Sequence, residues 1–436
     1  MLLVVTSMVG SGVFTTSGFL LRELGSPLAV LAAWAVGGVA ALAGAWTYAE
    51  LAVAVRESGG EYALVTRYVH PAVGFVVGLV SFVVGFCAPI AACAFAFARY
   101  GAAALSSDLP DPDAPPSSLE LAVAAALVIA STLLHAREPA EGVRGSEGAY
   151  GWSARAQDLL TAGKVVLVLG VVLGGLVALL RTPRPDAAIH DLGEPVRPAA
   201  FGLGVVLVSF AYTGWNAAAY FAGEVERPER TLPRALAGGT LAVTALYLAL
   251  NAVFLAAAPR EALEGQVVVG HVAALALFGP WAARSLSLVI AFGLLSTVGA
   301  FVWTGVRILD AMARHHARLR WLGRRPIALG LQLSLSLAML LSASFEVLLG
   351  SVGFALSLAS ALTVLAVFRV RRAHPEGSGP ATFRAPLHPW PALVYLSLMA
   401  ATVVSTLVER PELALVGVVT LVVGLVGYAV VTRKDQ

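Results

Sequence analysis

Uninterrupted apolar stretches of about 20 residues recur along almost the whole chain and limit its possible folds more than any other feature. A helix of that length spans the hydrocarbon core of a membrane. The stretches are solid blocks, whereas transmembrane β-strands alternate over about ten residues, so such strands are excluded. Only 13% of the 436 residues are charged and 58% are hydrophobic, which rules out a soluble protein of this size.

Twelve stretches are predicted to cross the membrane as helices, and we number them spans 1 to 12. They cover residues 1–21, 28–55, 71–104, 119–135, 156–180, 199–223, 233–258, 281–313, 327–345, 347–369, 391–408 and 412–432. No linker is long enough for a soluble domain. We predict three units, which are residues 1–180 with spans 1–5, residues 199–370 with spans 6–10, and residues 391–432 with spans 11 and 12.

The basic residues predict the orientation of these spans. Most of the 29 Lys and Arg residues fall in the loops after even-numbered spans and in the C-terminal tail. Cytoplasmic loops are the ones enriched in Lys and Arg. We therefore expect a multi-pass protein of the inner (plasma) membrane with both termini in the cytoplasm. The first residues lack the basic region and cleavage site of a signal peptide and are predicted to form span 1.

Signals for catalysis, metals and nucleic acids are missing from the sequence. Cys87 and Cys93 do not share a helix face, so neither a disulfide nor a metal site is predicted. The AGKVV segment around Lys164 lacks the spacing of a phosphate-binding loop. No catalytic cluster lies within a span, and no polar stripe suggests a channel. We expect no enzyme activity, cofactor, metal or nucleic-acid partner, and we expect contact with lipid and a small-molecule ligand.

Two spans carry glycine where a membrane helix should be continuous. Span 1 contains Gly10-Ser11-Gly12 at its midpoint, and span 6 contains Gly214 within SFAYTGWN (209–216). Glycine weakens a helix by about 1 kcal/mol relative to alanine. Span 1 is the first of spans 1–5, and span 6 is the first of spans 6–10. Because each block has an odd number of spans, the second block enters the membrane from the opposite side to the first. Interrupted helices at matching positions of inverted halves indicate the binding site of a transporter.

The broken ends predict the chemistry of the ligand. Unwound backbone is tolerated in a membrane only where it lines a cavity or meets a ligand. The helix that restarts after Gly12 directs free N–H groups and a positive dipole end at that site, which suits a carboxylate. The helix that ends near Ala211 presents free carbonyl groups, which suit an ammonium group. Together the two ends predict a receptor for an α-amino acid.

Five segments resemble the amino acid–polyamine–organocation superfamily, especially its L-type amino acid transporter and bacterial permease branch. They are MVGSGVF (8–14), YAELAVAVRESGGEYALV (48–65), SFAYTGWNAAAYFAGEVERPERTLPRAL (209–236), GVRILDAMAR (305–314) and FRAPLHPWP (383–391). The resemblance implies an all-α membrane protein of leucine-transporter type. Ten helices would form a 5+5 inverted repeat, followed by two C-terminal helices, and an amino acid would be carried by alternating access.

The resemblance also implies roles for individual residues. The substrate carboxylate would bind at Gly10, Ser11 and Gly12. The Phe210 ring would cover the substrate as an aromatic gate. The amine would meet the backbone carbonyl groups of Met8, Val9, Phe210, Ala211 and Thr213, and Gly214 is also implied at the substrate. Members of the superfamily usually have a cytoplasmic tail before span 1, which leaves open whether the start of this chain is complete.

Lys164 is an ionisable residue inside span 5, where a charge is costly and tends to face the bundle interior. Sodium-independent members that the chain resembles have a lysine at this point, and sodium-coupled relatives bind a cation there. The ammonium group would link the region near Gly10 to Ser296 or Thr297 in span 8. Lys164 would then replace a sodium ion, or alternatively carry a proton in each cycle.

Charged residues at the cytoplasmic ends of the spans are candidates for a gate. Glu224 and Arg307, at the ends of spans 6 and 8, are predicted to pair and close the inward path. Plain solvation of loop charges is an equally good interpretation. The other charged residues at this level are Glu50, Glu57, Glu61 and Arg227.

Side-chain preference, energy coupling and oligomeric state are only weakly indicated. The small, uncharged segment CAPIAACA (87–94) favours neutral L-amino acids. Substrate exchange and proton symport remain open as coupling modes. The alternatives are a sodium-coupled symporter and an amino-acid-sensing receptor on the same fold. The sequence is compatible with a monomer, and it is compatible with other oligomeric states as well.

Overall fold

The computed structural model describes the chain except for residues 56–59, 107–110, 137–146, 192, 194, 224, 343, 374–382 and 433–436. The described residues form helices and connecting turns, without strands. The α-helices are α1 Leu2–Met8, α2 Gly12–Leu24, α3 Pro27–Val55, α4 Gly60–Tyr68, α5 Pro71–Phe82, α6 Ala88–Leu105, α7 Ser118–Ala136, α8 Glu147–Arg181, α9 Pro198–Ala211, α10 Pro228–Ala257, α11 Arg260–Leu263, α12 Val269–Phe278, α13 Pro280–His315, α14 Arg325–Ser342, α15 Phe345–Ala373, α16 Trp390–Glu409 and α17 Pro411–Thr432.

Ten helical stretches of the described chain are long and apolar enough to cross a membrane. They match predicted spans 2–5 and 7–12, with α5 and α6 joined through a π-helical turn at Val83–Cys87 into one stretch, Pro71–Leu105. Spans 1 and 6 are absent from this set because each is interrupted, as the glycine pattern predicted. The protein is therefore a multi-pass helical membrane protein, and a total of twelve crossings stays a prediction.

Proline marks the beginning of many of these helices. A proline at the first helical position lacks an N–H group that would have no partner there, and its φ is already helical. At α5, the Nδ1 atom of His70 also accepts a hydrogen bond of 3.1 Å from the Ala72 amide. The helix-opening prolines are Pro27, Pro71, Pro198, Pro228, Pro280 and Pro411.

Two boundaries differ from the sequence prediction. The connection between spans 4 and 5 is shorter than predicted, because α8 begins at Glu147 and span 5 was predicted to begin at residue 156. A short apolar helix that the sequence pattern did not predict, α12, precedes α13. It is only ten residues long, so its hydrophobic pattern does not stand out from neighbouring loop residues.

The interrupted helices lie in the centre of the bundle. Helix α9 packs against α2, α3, α15 and α16, while α3 packs against α10. Met8, Val9, Phe210 and Ala211 at the helix ends are all buried. In contrast, α17 exposes a row of valine and leucine side chains on the outside of the bundle, as expected for a helix that faces lipid. Backbone hydrogen bonding is therefore interrupted inside the core of the bundle.

Candidate functional site

The two helix breaks lie directly against each other. A Cβ atom added to Gly12 would lie 2.5 Å from the Cα atom of Ala211. A Cβ atom added to Gly214 would lie 2.5 Å from the carbonyl oxygen of Ser7, and the φ of Gly214 is +95°. Real Cβ atoms do not approach other atoms this closely, and positive φ favours glycine. Glycine is therefore needed at both crossing points, which hold the start of α2 against the end of α9.

The first turn of α2 offers backbone amides at the crossing. Ser11 is the N-cap residue, but its hydroxyl group does not cap the helix. That hydroxyl lies 3.3 Å from the Sγ atom of Cys93 on α6, while Thr15 donates to the Ser11 carbonyl at 3.0 Å. The first amides of a helix have no intrahelical partner. The predicted residues Gly10, Ser11 and Gly12 thus surround a helix N-terminus within the protein core.

Tyr247 on α10 joins the two breaks, and the sequence analysis missed it. Its hydroxyl group lies 2.6 Å from the carbonyl oxygen of Met8 and 3.2 Å from that of Ala211. The side chain is fully buried. Both carbonyls belong to residues predicted to meet a substrate amine. A lone tyrosine in an apolar helix gives no periodic signal, so only the folded arrangement identifies it.

The carbonyl group of Phe210 is engaged locally. It accepts from the Thr213 amide at 3.1 Å and from the Thr213 hydroxyl at 2.8 Å. A carbonyl oxygen has two lone pairs. These two bonds therefore use the acceptor capacity of Phe210, whereas the Phe210 ring is buried beside the crossing.

Lys164 reaches from α8 to α13. Its Nζ atom donates to the Thr297 hydroxyl at 2.8 Å, and that hydroxyl donates to the Gly293 carbonyl at 3.0 Å. Lys164, Thr297, Val9 and Gly10 line one small cavity beside the break in span 1. The other predicted contact, the Ser296 hydroxyl, is buried without a hydrogen-bond partner among the described atoms. The lysine thus lies between span 8 and the unwound part of span 1.

On the arginine-rich side, an ion pair joins α3 to α15. Arg371 donates to both carboxylate oxygens of Glu50, at 2.7 and 2.8 Å, and the Ala385 amide donates to Glu50 at 2.8 Å. The predicted gate partner Glu224 lies outside the described residues, as does Glu57. Arg307 places its guanidinium group 3.6 Å from the centre of the Trp303 ring. The Glu50–Arg371 pair therefore ties α3 to α15 on this side.

A second charged cluster lies on the opposite side of the bundle. Arg22, in the last turn of α2, lies 2.6 Å from Glu346 at the start of α15 and 3.2 Å from Asp113. Arg410 contacts the same Glu346 at 3.3 Å and also pairs with Glu23. The bonds tie α2 and α15 to the turn between α16 and α17.

Little open space remains near the helix breaks. A cavity of about 50 Å³ lies behind the turn that follows α9, and its wall includes Asn216, Ser360 and Tyr395. That is enough space for water. Within the described chain, no group of three His, Cys, Asp or Glu side chains could hold a metal ion. The cavities beside the breaks are therefore small.

The chain is similar to known amino acid transporters. A family model described as "Amino acid permease" matches residues 1–427. The serine/threonine exchanger SteT of Bacillus subtilis is 26% identical over 93% of this chain and 89% of its own length. The large neutral amino acids transporter small subunit 2 of Mus musculus is 29% identical over 61% of this chain. The match spans about half (48%) of that relative's length.

One further relative is the b(0,+)-type amino acid transporter 1 of Mus musculus, which is 28% identical over 73% of this chain and 62% of its own length. These relatives are transporters and not enzymes, and they include the L-type branch that the sequence motifs indicated. Because the family model covers almost the whole chain, the protein belongs to the amino acid permease family of the amino acid–polyamine–organocation superfamily.

Proposed function

We propose that this permease carries neutral L-amino acids across the plasma membrane by alternating access, without sodium. One observation carries the proposal, namely the contact of the broken span 1 with the end of α9 at Gly12 and Ala211. That contact brings a helix N-terminus and a helix C-terminus together inside the bundle. Opposite partial charges at one point match the two charged groups of an α-amino acid.

The substrate carboxylate binds at the start of α2 in this proposal. The amides around Gly10, Ser11 and Gly12 are the donors, and the helix dipole adds a favourable field. The nearby Ser11 hydroxyl has only a weak sulfur partner, Cys93, and is available to a stronger acceptor. This arrangement recognises the part that all α-amino acids share.

The substrate ammonium group meets the carbonyl oxygens of Met8, Val9 and Ala211. The Met8 oxygen already accepts from the Tyr247 hydroxyl and from the Gly10 amide, so it binds the ammonium group only by exchanging one of these bonds, whereas the Ala211 oxygen accepts from Tyr247 and keeps a second lone pair. The turn containing Thr213 and Gly214 completes this end of the site. The buried Phe210 ring serves as the gate, and it must move for the substrate to enter or leave.

Sodium independence rests on Lys164. The hydrogen bond from its Nζ atom to Thr297 places an ammonium group beside Val9 and Gly10. A positive charge held there by the chain takes the place that a bound cation would occupy. The lysine then ties α8 and α13 to the unwound segment of span 1.

Closure on both sides supports alternating access. The Glu50–Arg371 pair closes the arginine-rich side, which we assign to the cytoplasm with both termini. The Arg22–Glu346 pair closes the other side. Transport requires these pairs to break in turn. A 5+5 repeat followed by two helices, in a monomer, is the architecture that we propose for this cycle.

The substrate class follows from chemistry and from the relatives. The α6 segment beside Ser11 has small, uncharged side chains, which fit a neutral substrate better than a charged one. One relative's name specifies large neutral amino acids and another's specifies serine and threonine. Exchange of one amino acid for another is the coupling mode that we favour, following SteT.

The experiment is uptake of labelled amino acids by purified protein in proteoliposomes without sodium. Empty vesicles under an inward proton gradient are compared with vesicles loaded with unlabelled amino acids. Uptake only into loaded vesicles supports exchange. Accumulation in empty vesicles under the gradient replaces exchange with proton symport. A requirement for sodium, or normal transport by Lys164→Ala, contradicts the role given to Lys164. Saturable binding without any uptake would indicate a receptor.

A further inference from the structure

Glu61 is a buried carboxylic acid that the transport site described above does not use. It lies in the first turn of α4, between the membrane helices α3 and α5, and its side chain is almost inaccessible to solvent. The preceding Gly60 has φ of +56°, and a Cβ atom there would overlap the Tyr220 ring at 2.2 Å. The close contact at Gly60 fixes the start of α4, and therefore Glu61, against the segment that follows α9.

Three different parts of the fold donate hydrogen bonds to one oxygen of Glu61. The Oε1 atom accepts from the Tyr48 hydroxyl of α3 at 2.6 Å and from the Asn216 amide at 2.9 Å. It also accepts from the Ser360 hydroxyl of α15 at 2.8 Å. Asn216 belongs to the turn that follows α9. The carboxyl group thus connects the span 6 turn to α3 and α15.

The other oxygen of Glu61 differs from the first in its described surroundings. Its Oε2 atom is buried and receives no hydrogen bond from the described atoms. A buried acceptor without a partner costs about 1–3 kcal/mol, and more when it is charged. Protonation of Oε2 removes that cost, since a neutral acid is far less expensive to bury.

No described cation offsets a negative charge on Glu61. The side chains that face it are polar but uncharged, or phenolic, and they come from every element around it. They are Tyr48, Ser81, Asn216, Tyr220, Ser360 and Tyr395. Burial raises the pKa of the Glu61 carboxyl group, and the hydrogen bonds from Tyr48, Ser360 and Asn216 oppose that shift.

Water can reach the immediate surroundings of Glu61. The 50 Å³ cavity behind the span 6 turn is lined by Asn216, Ser360 and Tyr395, all of which are neighbours of the carboxyl group. Its further polar lining includes Thr213 and Ser357. Water in this cavity would provide a source and a destination for a proton.

We propose that Glu61 is a proton-binding site whose occupancy controls the movement of the span 6 turn. This inference rests on the transport function proposed above and deepens it. A proton from water adds to Oε2 and returns to water when the site is vacated, so no other reactant is needed. When Glu61 is ionised, Tyr48, Asn216 and Ser360 donate to a charge, and such bonds are about twice as strong as neutral ones. Protonation weakens all three together and releases Asn216, and with it the turn, from α3 and α15.

The proposal gives a direction for the effect of pH. Transport needs the turn to move, so exchange slows as the pH rises through the pKa of Glu61 and the carboxylate forms. The exchange rate at acid pH should be about tenfold higher than the rate at alkaline pH. A factor of this size corresponds to the free energy of one charge-assisted hydrogen bond. Glu61→Gln is permanently neutral and should keep the acid rate at every pH.

The test measures exchange of a labelled amino acid in proteoliposomes at equal pH on both sides. Wild type, Glu61→Gln and the matched control Ser360→Ala are compared over a pH series. The control keeps the carboxyl group and removes one hydrogen-bond donor to its charged form. The midpoint of its rate-against-pH curve should therefore lie about one pH unit higher than that of the wild type. An identical pH profile in wild type and Glu61→Gln overturns the proposal, as does an unmoved midpoint in Ser360→Ala.

A second measurement does not depend on transport. Infrared difference spectra of the purified protein between acid and alkaline pH should contain the carbonyl band of a buried protonated carboxyl group. That band should be absent in Glu61→Gln and should titrate at higher pH in Ser360→Ala. If Glu61→Gln does not fold, the titration midpoints of the infrared band in Ser360→Ala and Tyr48→Phe are used instead. Midpoints that do not move to higher pH in these two variants overturn the proposal. A protein that moves no amino acid refutes the proposed function, while the infrared titration still reports on Glu61.

Discussion

The Tyr247 hydroxyl group lies 2.6 Å from the carbonyl oxygen of Met8, which is the last residue before the helix is interrupted. The same hydroxyl is 3.2 Å from the Ala211 carbonyl. One side chain therefore holds the ends of α1 and α9 at a fixed separation. The arrangement predicts that this phenol stabilises the closed form of both breaks at once.

Tyr247→Phe should slow exchange about tenfold or more while the protein still folds. The change removes the O–H donor that the two carbonyls share; Met8 keeps the Gly10 amide, but Ala211 loses its described donor, and an unsatisfied buried acceptor costs about 1–3 kcal/mol. Rates in proteoliposomes and thermal unfolding in detergent measure the two effects. Tyr212→Phe is the control, since its hydroxyl donates to Trp34 of the continuous helix α3 at 2.9 Å. Equal loss of transport in both variants would contradict a specific role for Tyr247.

Thr297→Val should reduce exchange by about tenfold, because Lys164 loses the acceptor of a charge-assisted hydrogen bond. Thr297→Ser keeps the hydroxyl group and should transport nearly as well as wild type. The measurement is exchange in sodium-free buffer and again with sodium added. Recovery of the valine variant by sodium would show that a cation can substitute for the lysine contact. Full activity in the valine variant would refute the importance of the contact.

Gly214→Ala should lower both stability and the yield of folded protein. The new Cβ would meet the Ser7 carbonyl at 2.5 Å, and the φ of +95° is unfavourable for alanine. Steric costs of this kind amount to about 1–3 kcal/mol. Gly101→Ala on α6 is the control, because nothing lies within 4 Å of its added Cβ. Thermal unfolding should be unchanged or slightly raised in the control.

Reversing charges in the second charged cluster, which contains Arg22, Glu346 and Arg410, should reveal a gate. Arg22→Glu and Glu346→Arg should each shift the protein away from the closed form, because each places like charges side by side. The double variant should recover part of the wild-type exchange rate, and only part, since Glu346 also contacts Arg410. Labelling of a cysteine introduced beside the site, with a water-soluble reagent, measures opening on this side. Additive effects without any recovery would show that the two residues do not act as a pair.

The sequence predicted the interruption of span 1 because three adjacent residues, Gly10, Ser11 and Gly12, weaken a helix at its midpoint. The structure ends α1 at Met8 and restarts the helix at Gly12. The break in span 6 was predicted from Gly214, and the helix ends at Ala211. Backbone propensity is a local property, so it could be read without knowledge of the fold.

The connections between distant helices could not be predicted in this way. Tyr247 and Ser360 each lie in a long apolar helix, where a single polar residue is compatible with many neighbours. Glu61 was recognised as a charge near a helix end, but its three donors come from parts of the chain far apart in sequence. Arg371 was counted only among the basic residues that indicate orientation. Partners of this kind are determined by how the helices pack.

The contact of Gly12 with Ala211 and of Gly214 with Ser7 has a consequence for redesigning what this permease carries. Each pair is already as close as main-chain atoms allow, so this wall of the site cannot be reshaped by exchanging side chains. Any change in the size or polarity of the cargo must come from the helices facing it, of which α6, with Cys93 beside Ser11, is the nearest described example. Libraries that vary α6 should therefore yield altered selectivity, whereas libraries that vary the glycines should yield protein that does not fold.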